Sequence, residues 1–544
     1  MPLKPPLLSA RLRALILTGV LCAGLPPPVA LAQVRLPALG ESAGDEFSIG
    51  TERALGEQIM REVRRDPAYL DDPPLRDYME RVWQPLVEAA RKRGDISPDT
   101  ARLLAWEVFL VRDRSINAFA LPGGFVGVHL GLIAATGSSD ELAAVLAHEL
   151  THVTQRHIAR GIVNSQRTTL LSLAGLILGV LAASRAGSSD GVQAAVVGSQ
   201  AAAAQGQLNY SRDMEREADR VGFGVLTDAG YSAAGMSAMF EKLESANRLN
   251  DSGAFPYLRS HPLTVDRISE ARARTALSAA PPPVDTLEHA VMGARARVLM
   301  DTSSDGLRRQ RDRVAAIDAP GAAAASAEER LALWYGGALA MLLMGDTAGA
   351  DAMVNKALQQ LRSPELPRVE RAFRQLQAQV VLQRGDAAAA LQLLSAPLLQ
   401  PASRWTLLLR GQAALALWQN KPAEVARCAS PAGCGDSMAG YKALRDSNGA
   451  LQSWLSLHPN DALAWSLLAQ GEEALEQRLR AMRAQAEARA VLGDLGGAID
   501  RLRAAQSLVR SGEANDFIEA SVIDARLRQL EAQRRELAAE LRGR

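Results

Sequence analysis

Apolar side chains recur at helical spacing in the window AAVLAHELTHVTQRH, residues 143–157. Leu142, Leu146, Leu150 and Val153 follow one another at steps of four, four and three residues. This spacing places them on one face of an α-helix, and the alanines between them favour that conformation. The window therefore predicts a buried helix in the first half of the chain.

A second stretch, NYSRDMEREADRVGFGVL at 209–226, shows the same periodicity. Its apolar stripe contains Met214, Ala218, Val221 and Val225. This stripe predicts a second amphipathic helix. The segment FVGVHLGLI at 125–133 differs, because Phe125, Gly127 and His129 alternate with valines, which is typical of a short strand.

The second half of the chain begins after the Pro-rich break AAPPPVDT at 279–286 and is helical throughout. Three Gly-Asp pairs end apolar helical stretches there, and each pair is followed four residues after the Asp by an alanine. The pairs start at Gly345, Gly385 and Gly493, and the alanines are Ala350, Ala390 and Ala498. A turn between two helices, repeated about every 34 residues, is typical of tetratricopeptide repeats. An irregular helical bundle is the alternative.

A chain of 544 residues is expected to form two or three domains. Aromatic residues are only 4% of the chain, and its richness in alanine and leucine favours packed helices. We predict a mainly α protein: an α+β domain with a short sheet, followed by an α-helical tetratricopeptide-like solenoid. The predicted segments are a flexible start (33–45), the first domain (46–276, with an insertion at 162–207), a linker and helix (277–325), the repeats (326–512) and a C-terminal helix (513–544).

The N-terminus has the three parts of an export signal. Lys4, Arg11 and Arg13 form a basic head, an apolar run follows at 14–25, and Ala30-Leu31-Ala32 is a small-x-small cleavage site. The apolar run is short for a membrane span. We predict a signal peptide over 1–32, cleaved after Ala32, and hence a periplasmic protein; a retained membrane anchor is the alternative.

The exported chain keeps two cysteines, Cys428 and Cys434. An oxidising compartment favours a local disulfide between them, and two free thiols are the alternative. The net charge of +1, from 61 basic and 60 acidic residues, argues against nucleic acid as the main partner. The apolar run at 169–183, inside the insertion, fits a flap over the cleft or a peripheral contact with a membrane surface. An internal core hairpin is the alternative.

His148 and His152 lie four residues apart on the first predicted helix. Residues i and i+4 share one helix face, so both imidazoles can bind one metal ion. Glu149 is about 100° further round the helix axis, where its carboxylate can act as a base on water without binding the metal. This His-Glu-x-x-His arrangement is that of a zinc peptidase.

The second predicted helix carries Glu215 and Asp219, again at i and i+4. A carboxylate as third ligand gives the two-histidine, one-glutamate set of catalytic zinc sites. Asp219 is then placed to orient a ligand histidine. A solvated charged face is the alternative. His157 is nearly half a turn off the ligand face and is expected to be a solvent or helix-end residue.

The motifs HELTH (148–152) and SRDMEREAD (211–219) resemble those of the HtpX-type gluzincin metalloproteases. NAFALPGGFVGVHLGLI (117–133) and SHPLTVDRI (260–268) also resemble that family. The resemblance implies one zinc ion per chain, held by His148, His152 and Glu215, with Glu149 as the base. With the export signal and the repeats, it also implies quality control of outer-membrane proteins.

His261 has two interpretations at such a site. It can bind zinc as a fourth ligand and keep the enzyme latent, or it can stabilise the oxyanion of the transition state. The alternative is a helix-start residue, with Pro262 opening the helix that carries Arg267.

The strand at 125–133 has a functional interpretation as well. As a sheet edge beside the zinc, the backbone of Phe125, Val126, Gly127 and Val128 would pair with an extended substrate. A purely structural strand is the alternative.

The sequence thus predicts a zinc-dependent endopeptidase that degrades misfolded or stalled outer-membrane proteins. The repeats are expected to bind clients or the outer-membrane assembly machinery. The alternative is a latent or non-proteolytic chaperone or adaptor for outer-membrane protein assembly.

Overall fold

The structure, a computed structural model, describes residues 47–164, 212–249, 256–278, 286–317, 325–361, 367–420, 435–511 and 516–542. The described strands are β1 (Tyr69–Leu70), β2 (Glu107–Val111), β3 (Ala118–Leu121) and β4 (Phe125–His129). The helices of the first half are α1 (Ile49–Val63), α2 (Pro73–Arg93), α3 (Pro98–Leu103), α4 (Leu130–Ala135), α5 (Ser139–Thr154), α6 (His157–Asn164), α7 (Arg212–Asp228), α8 (Ala234–Leu249), α9 (Pro256–Ser260) and α10 (Val265–Leu277).

The second half is built from helices in every described segment. They are α11 (Thr286–Leu299), α12 (Ser304–Ile317), α13 (Ala327–Leu343), α14 (Thr347–Gln360), α15 (Pro367–Gln383), α16 (Ala387–Leu394), α17 (Arg404–Gln419), α18 (Gly435–Leu457), α19 (Ala462–Ala474), α20 (Arg478–Val491), α21 (Leu495–Arg510) and α22 (Phe517–Arg542), with a 3₁₀ turn at Pro397–Leu399. The predicted fold class, mainly α with a short sheet in the first half, is confirmed.

The sheet has the strand order β1-β2-β4-β3. β1 is antiparallel to β2, β2 is parallel to β4, and β3 is antiparallel to β4. β4 therefore lies inside the sheet, paired on both sides. The prediction that Phe125, Val126, Gly127 and Val128 form an edge strand for substrate is wrong, because Ala118–Leu121 forms a further strand that covers that edge.

The close pairing of β3 and β4 depends on three glycines. Gly123 and Gly124 have positive φ angles of 82° and 87°, and they make the tight turn between the strands. Gly127 lies beneath the ring of Phe119, and a Cβ at Gly127 would lie 2.4 Å from the Phe119 ring. The ring thus fills the space that another side chain would occupy.

The two helices predicted from apolar periodicity are present as α5 and α7. Ser138 caps the start of α5, since its hydroxyl accepts the amide proton of Glu141 at 3.2 Å. The four residues of the predicted α5 stripe are buried. α7 packs closely on α5 because a Cβ at Gly222 would lie 3.0 Å from the carbonyl oxygen of Ala147. This close approach brings the acidic face of α7 to the histidines of α5.

The repeated Gly-Asp pairs have a common structural cause. Gly345, Gly385 and Gly493 end their helices with positive φ angles of 85°, 95° and 80°. The following aspartates start the next helices, each accepting the amide proton three residues on. The alanines four residues after each Asp are fully buried. These contacts make helical hairpins; their assignment as tetratricopeptide repeats, and the predicted domain boundaries, stay predictions.

Two consecutive acids join the halves of the molecule. The Asp71 carboxylate accepts two hydrogen bonds from Arg404, at 2.8 and 2.7 Å, and Arg404 also binds Asp461. The Asp72 carboxylate accepts two from Arg295, both at 2.7 Å. Buried apolar side chains from Leu70 to Val380 form one contiguous core across this junction. The helical half is therefore packed firmly against the first domain.

Several sequence predictions fall outside the described residues. They concern the signal peptide and flexible start, most of the 162–207 insertion with its 169–183 run, and both cysteines, Cys428 and Cys434. Among the described residues, no helix is both long enough and apolar enough to cross a lipid bilayer. The predicted C-terminal helix is present as α22.

Candidate metal centre

Four buried side chains from three parts of the chain meet at one place in the first domain. α5 supplies His148 and His152, α7 supplies Glu215, and the residue after α9 is His261. One ligand atom from each lies within 4.8 Å of every other, and all four residues are buried. The structure thus brings together the three predicted zinc ligands and the histidine whose role the sequence left open.

The ligand atoms of these residues are close enough to bind one metal ion. Metal–ligand bonds of about 2.0 Å to zinc give ligand–ligand edges of about 3.3 Å. The Nε2 atoms of His148 and His152 are 3.0 Å apart, and each lies 3.5 Å from a Glu215 oxygen. His261 Nδ1 lies 3.3 Å from His148 Nε2 and 3.0 Å from Glu215 Oε1. Each of these distances is close to the edge length of a zinc site, with either Glu215 oxygen as the donor.

Glu149 lies beside this cluster without belonging to it. Its side chain is fully buried, and neither carboxylate oxygen has a hydrogen-bond partner among the described residues. Nε2 of His261 lies 3.5 Å from Glu149 Oε1. A buried carboxylate without hydrogen bonds is costly unless a ligand or ion satisfies it, which fits a group that acts on bound substrate.

Asp219 fixes the orientation of the His148 ring through the nitrogen that faces away from the cluster. Its Oδ1 lies 3.0 Å from His148 Nδ1, so the Nδ1 proton is donated to the carboxylate and Nε2 is left to face the cluster. Arg267 binds both Asp219 oxygens, at 2.6 and 2.8 Å, and its Nη1 lies 2.9 Å from Glu215 Oε2. Arg267 thus fixes an orienting carboxylate and a ligand carboxylate together.

The charges of the cluster follow from this burial and these contacts. Burial disfavours a charged His148 ring, but its hydrogen bonds to Asp219 and Glu215 outweigh burial and raise its pKa to about 10. Burial and the neighbouring His148 charge keep the pKa of His152 well below its usual value. Burial raises the pKa of Glu215, but His261 and His148 outweigh it and hold that pKa far below the normal range. A metal ion bound at this site would therefore replace a proton.

His157 is not exposed to solvent, so that part of its prediction is wrong; it does begin a helix, α6. Its ring is fully buried, with Nδ1 2.9 Å from His152 Nδ1 and Nε2 3.0 Å from Glu217 Oε2. Burial lowers its pKa to about 4, more than the attraction of Glu217 raises it. The cause is a helix break: Arg156 has a positive φ of 52°, which ends α5 and turns the next ring back towards the site.

His261 lies in the turn between α9 and α10. Its backbone N–H donates to the Tyr257 carbonyl at 2.8 Å, and its ring stacks on the Tyr257 ring with centroids 4.7 Å apart. The helix that carries Arg267 begins at Val265 and is capped by Thr264. The expectation that Pro262 opens that helix is therefore wrong, and His261 is not a helix-start residue.

Residues 79–275 match the model described as peptidase family M48. This segment contains every member of the cluster and Glu149. This segment of the chain is therefore similar to the peptidases of family M48.

Several relatives resemble more than this domain. The chain is 29% identical over 534 residues to the beta-barrel assembly-enhancing protease of Escherichia coli, which covers 96% of each chain. It is 29% identical over 525 residues to the protease of the same name from Yersinia pestis, covering 96% of this chain and 97% of the relative. A Vibrio cholerae relative is 38% identical over 260 residues, and the match spans about half of its length, 51%.

A mitochondrial protein resembles a smaller part of the chain. The mitochondrial metalloendopeptidase OMA1 of Saccharomyces cerevisiae is 28% identical over 203 residues, or 36% of this chain. The similarity of this chain to the bacterial proteases, which covers 96% of its length, thus includes the helical half.

Sequence reasoning missed two contributors to the site. Arg267 was noted only as a motif residue, and Tyr257 was not considered. Both reach the cluster through folding of the α9–α10 segment, which no local periodicity indicates. Arg156 and its positive φ also left no signal in the helical pattern.

Proposed function

We propose that the chain is a zinc-dependent endopeptidase, with one zinc ion held by His148, His152 and Glu215. The observation that carries this proposal is the set of four buried residues whose ligand atoms lie within 4.8 Å of one another, with the Glu149 carboxylate beside them. A bound zinc ion would supply Lewis acidity towards the scissile carbonyl. Two histidines and a glutamate are the ligand set of catalytic rather than structural zinc.

The chain's own residues would carry out the proton transfers. Glu149 would take a proton from the attacking water and pass it to the leaving amine. Burial of the carboxylate shields this exchange from bulk solvent. Asp219 and Arg267 would keep the His148 ring in the orientation that ligation requires.

We propose that His261 holds the described state latent. Its Nδ1 lies at the fourth corner of the ligand set, and its Nε2 lies near Glu149. Substrate hydrolysis would then require His261 to leave this corner, where its ring can next stabilise the oxyanion. The rival function is a chaperone or adaptor that remains in the closed state; four protein ligands are the pattern of structural zinc and favour it.

We propose that an extended substrate pairs with β3 rather than β4. In the described part of the chain, no strand pairs with the outer edge of Ala118–Leu121. β3 packs next to α5, which carries the predicted ligands. Recognition through the backbone suits an enzyme that acts on unfolded chains.

We propose that the enzyme works in the periplasm on misfolded or stalled outer-membrane proteins. The export signal and the relatives named beta-barrel assembly-enhancing protease support this proposal. The helical half would bind clients or the assembly machinery, with peripheral membrane contact. A cavity of about 890 Å³ between the halves, lined by Asp71, Arg404, Trp454 and His458 among others, offers a surface for such binding.

The test is degradation of casein by the purified mature chain, beside Glu149→Gln. Cleavage by the wild type alone would establish a metallopeptidase with Glu149 as its base. Equal cleavage by both would remove Glu149 from that role. If neither cleaves, His261→Ala decides: activity revealed by this substitution indicates latency, and continued inactivity favours the adaptor.

A further inference from the structure

The two histidines of the HELTH motif contact different groups through Nδ1, the ring nitrogen that does not face the candidate metal centre. Nδ1 of His148 faces the carboxylate of Asp219, whereas Nδ1 of His152 faces another imidazole, that of His157, at 2.9 Å. Both rings of the second pair are fully buried. A contact this short between two ring nitrogens requires that one donates a proton and the other accepts it.

Metal binding decides which nitrogen donates. If Nε2 of His152 binds the ion, its proton must be on Nδ1, and this N–H then donates to Nδ1 of His157. The His157 ring must therefore be neutral, with its own proton on Nε2. That proton has an acceptor in place, since Glu217 Oε2 lies 3.0 Å from His157 Nε2. Metal binding by His152 would thus determine which nitrogen carries the proton in both His152 and His157.

An arginine holds the Glu217 carboxylate in position, as another arginine holds that of Asp219. Arg160 donates from Nη1 to Glu217 Oε2 at 3.0 Å, in the way that Arg267 holds Asp219. Glu217 lies on α7, midway between Glu215 and Asp219, while His157 and Arg160 lie on α6. The helix that supplies the carboxylate ligand therefore also supports the second histidine ligand.

We propose that His157 and Glu217 are positioning residues for the metal ligand His152. Glu217 keeps the His157 proton on Nε2, which leaves His157 Nδ1 as the acceptor that fixes the His152 ring with its Nε2 towards the metal. This inference rests on the proposed function, because it takes His152 as a ligand.

The turn between α5 and α6 makes this arrangement possible. Arg156, at a positive φ of 52°, donates to the Glu52 carboxylate at 3.1 Å and to the Phe47 carbonyl at 2.6 Å. These buried bonds hold the turn against α1. A continuous helix would instead point His157 away from His152.

The test measures the zinc dissociation constant of the full mature chain by competition with a chromophoric chelator. Substituting an outer ligand partner typically weakens metal binding about 10- to 100-fold. We expect a loss in this range for His157→Phe, which keeps a ring but has no acceptor. His157→Asn should lose less, because its side-chain oxygen can take the place of Nδ1. Glu217→Ala should also weaken binding, because the His157 proton can then move to Nδ1.

Asp213→Ala is the matched control. Asp213 lies on the same helix, its side chain is 92% exposed, and its ion pair among the described residues is with Arg216, at 3.5 Å. Its loss should leave zinc affinity unchanged. Thermal unfolding of the metal-free variants separates this role from a merely structural one, which would lower the unfolding temperature without changing zinc affinity.

Nitrogen-15 histidine spectra of the zinc-loaded protein give a second readout. They should show the His152 proton on Nδ1 and the His157 proton on Nε2, and Glu217→Ala should remove the latter preference. Wild-type zinc affinity in both His157→Phe and Glu217→Ala would overturn the inference. If His157→Phe does not fold, the zinc affinity of Glu217→Ala alone tests the inference, because Glu217 is only half-buried. A wild-type chain that binds no zinc would instead overturn the proposed function itself.

Discussion

Asp219 and His148 are joined by a buried hydrogen bond of 3.0 Å between Oδ1 and Nδ1. The bond points the other ring nitrogen at the ligand cluster, 3.0 Å from the corresponding nitrogen of His152. Sequence spacing suggested this role for Asp219, because it is one helical turn after Glu215. The structure adds Arg267, which binds both Asp219 oxygens.

We expect Asp219→Ala to weaken zinc binding about 10- to 100-fold, because the His148 ring loses the acceptor that fixes its orientation. Zinc affinity of the purified chain and casein cleavage are the two measurements. Asp228→Ala on the same helix removes an exposed carboxylate that pairs with Arg93, so it should leave zinc affinity unchanged. Unchanged affinity in Asp219→Ala would show that His148 is oriented by other contacts.

The pair formed by Asp72 and Arg295 is expected to be important for stability. Both side chains are buried, and the guanidinium makes two 2.7 Å hydrogen bonds to the carboxylate and one to the Tyr335 hydroxyl. Arg295→Met leaves a buried charge unpaired, which should lower the free energy of unfolding by about 3 to 5 kcal/mol. Urea denaturation measures this loss.

The exposed pair of Arg102 and Asp99 provides the comparison. Its side chains are 77% and 72% exposed, so Arg102→Met should cost no more than about 1 kcal/mol. Equal effects of the two methionine substitutions would mean that the buried pair does not stabilise the junction.

The glycine of the Gly-Asp turns should be needed for its backbone angle alone. Gly385 has a φ of +95°, and a Cβ there would meet no heavy atom within 4 Å. Gly385→Ala should therefore lower the free energy of unfolding by about 1 to 2 kcal/mol through backbone strain. Gly449, inside α18, also has open space around it. Gly449→Ala should stabilise by about 1 kcal/mol, so the two substitutions are expected to have opposite signs in the same denaturation assay.

The helices of this protein could be predicted because their signals are local. The stripes on α5 and α7 and the Gly-Asp turns depend on residues a few positions apart. The edge of the sheet could not be predicted in this way, since it depends on which strand pairs with β4 after folding. The position of His157 was missed for a related reason. The periodicity of α5 was extended past Arg156, although the chain turns at that residue.

The four residues of the candidate metal centre were predictable to different degrees. His148, His152 and Glu215 stand in motifs whose spacing reflects the chemistry. His261 is 46 residues from Glu215 in sequence, and only the fold brings its Nδ1 to 3.0 Å from that carboxylate. Its role in this cluster therefore had to come from tertiary structure.

The pH dependence of stability should contain a contribution from His289. Its ring is buried between the halves, accepts the Tyr78 hydroxyl at Nδ1 (2.6 Å) and donates from Nε2 to the Thr136 carbonyl (2.9 Å). Burial lowers the pKa of His289 below its usual value. The hydrogen bond to Thr136 and the Glu141 charge oppose this effect, and the Lys242 and Arg297 charges add to it.

The direction of the effect follows from proton binding. Below an unfolded pKa of about 6.5, the unfolded chain takes up a proton that the folded ring resists, so folding becomes less favourable as pH falls. The contribution of His289 to the free energy of unfolding should thus be complete above this pH and decline below it. His289→Gln removes the proton uptake while an amide can keep both hydrogen bonds. We expect the free energy of unfolding, measured in urea at pH 7.5 and pH 5.5, to fall less in this variant than in the wild type. An equal fall would assign the acid sensitivity to other groups, because His289 would then bind protons equally in both states.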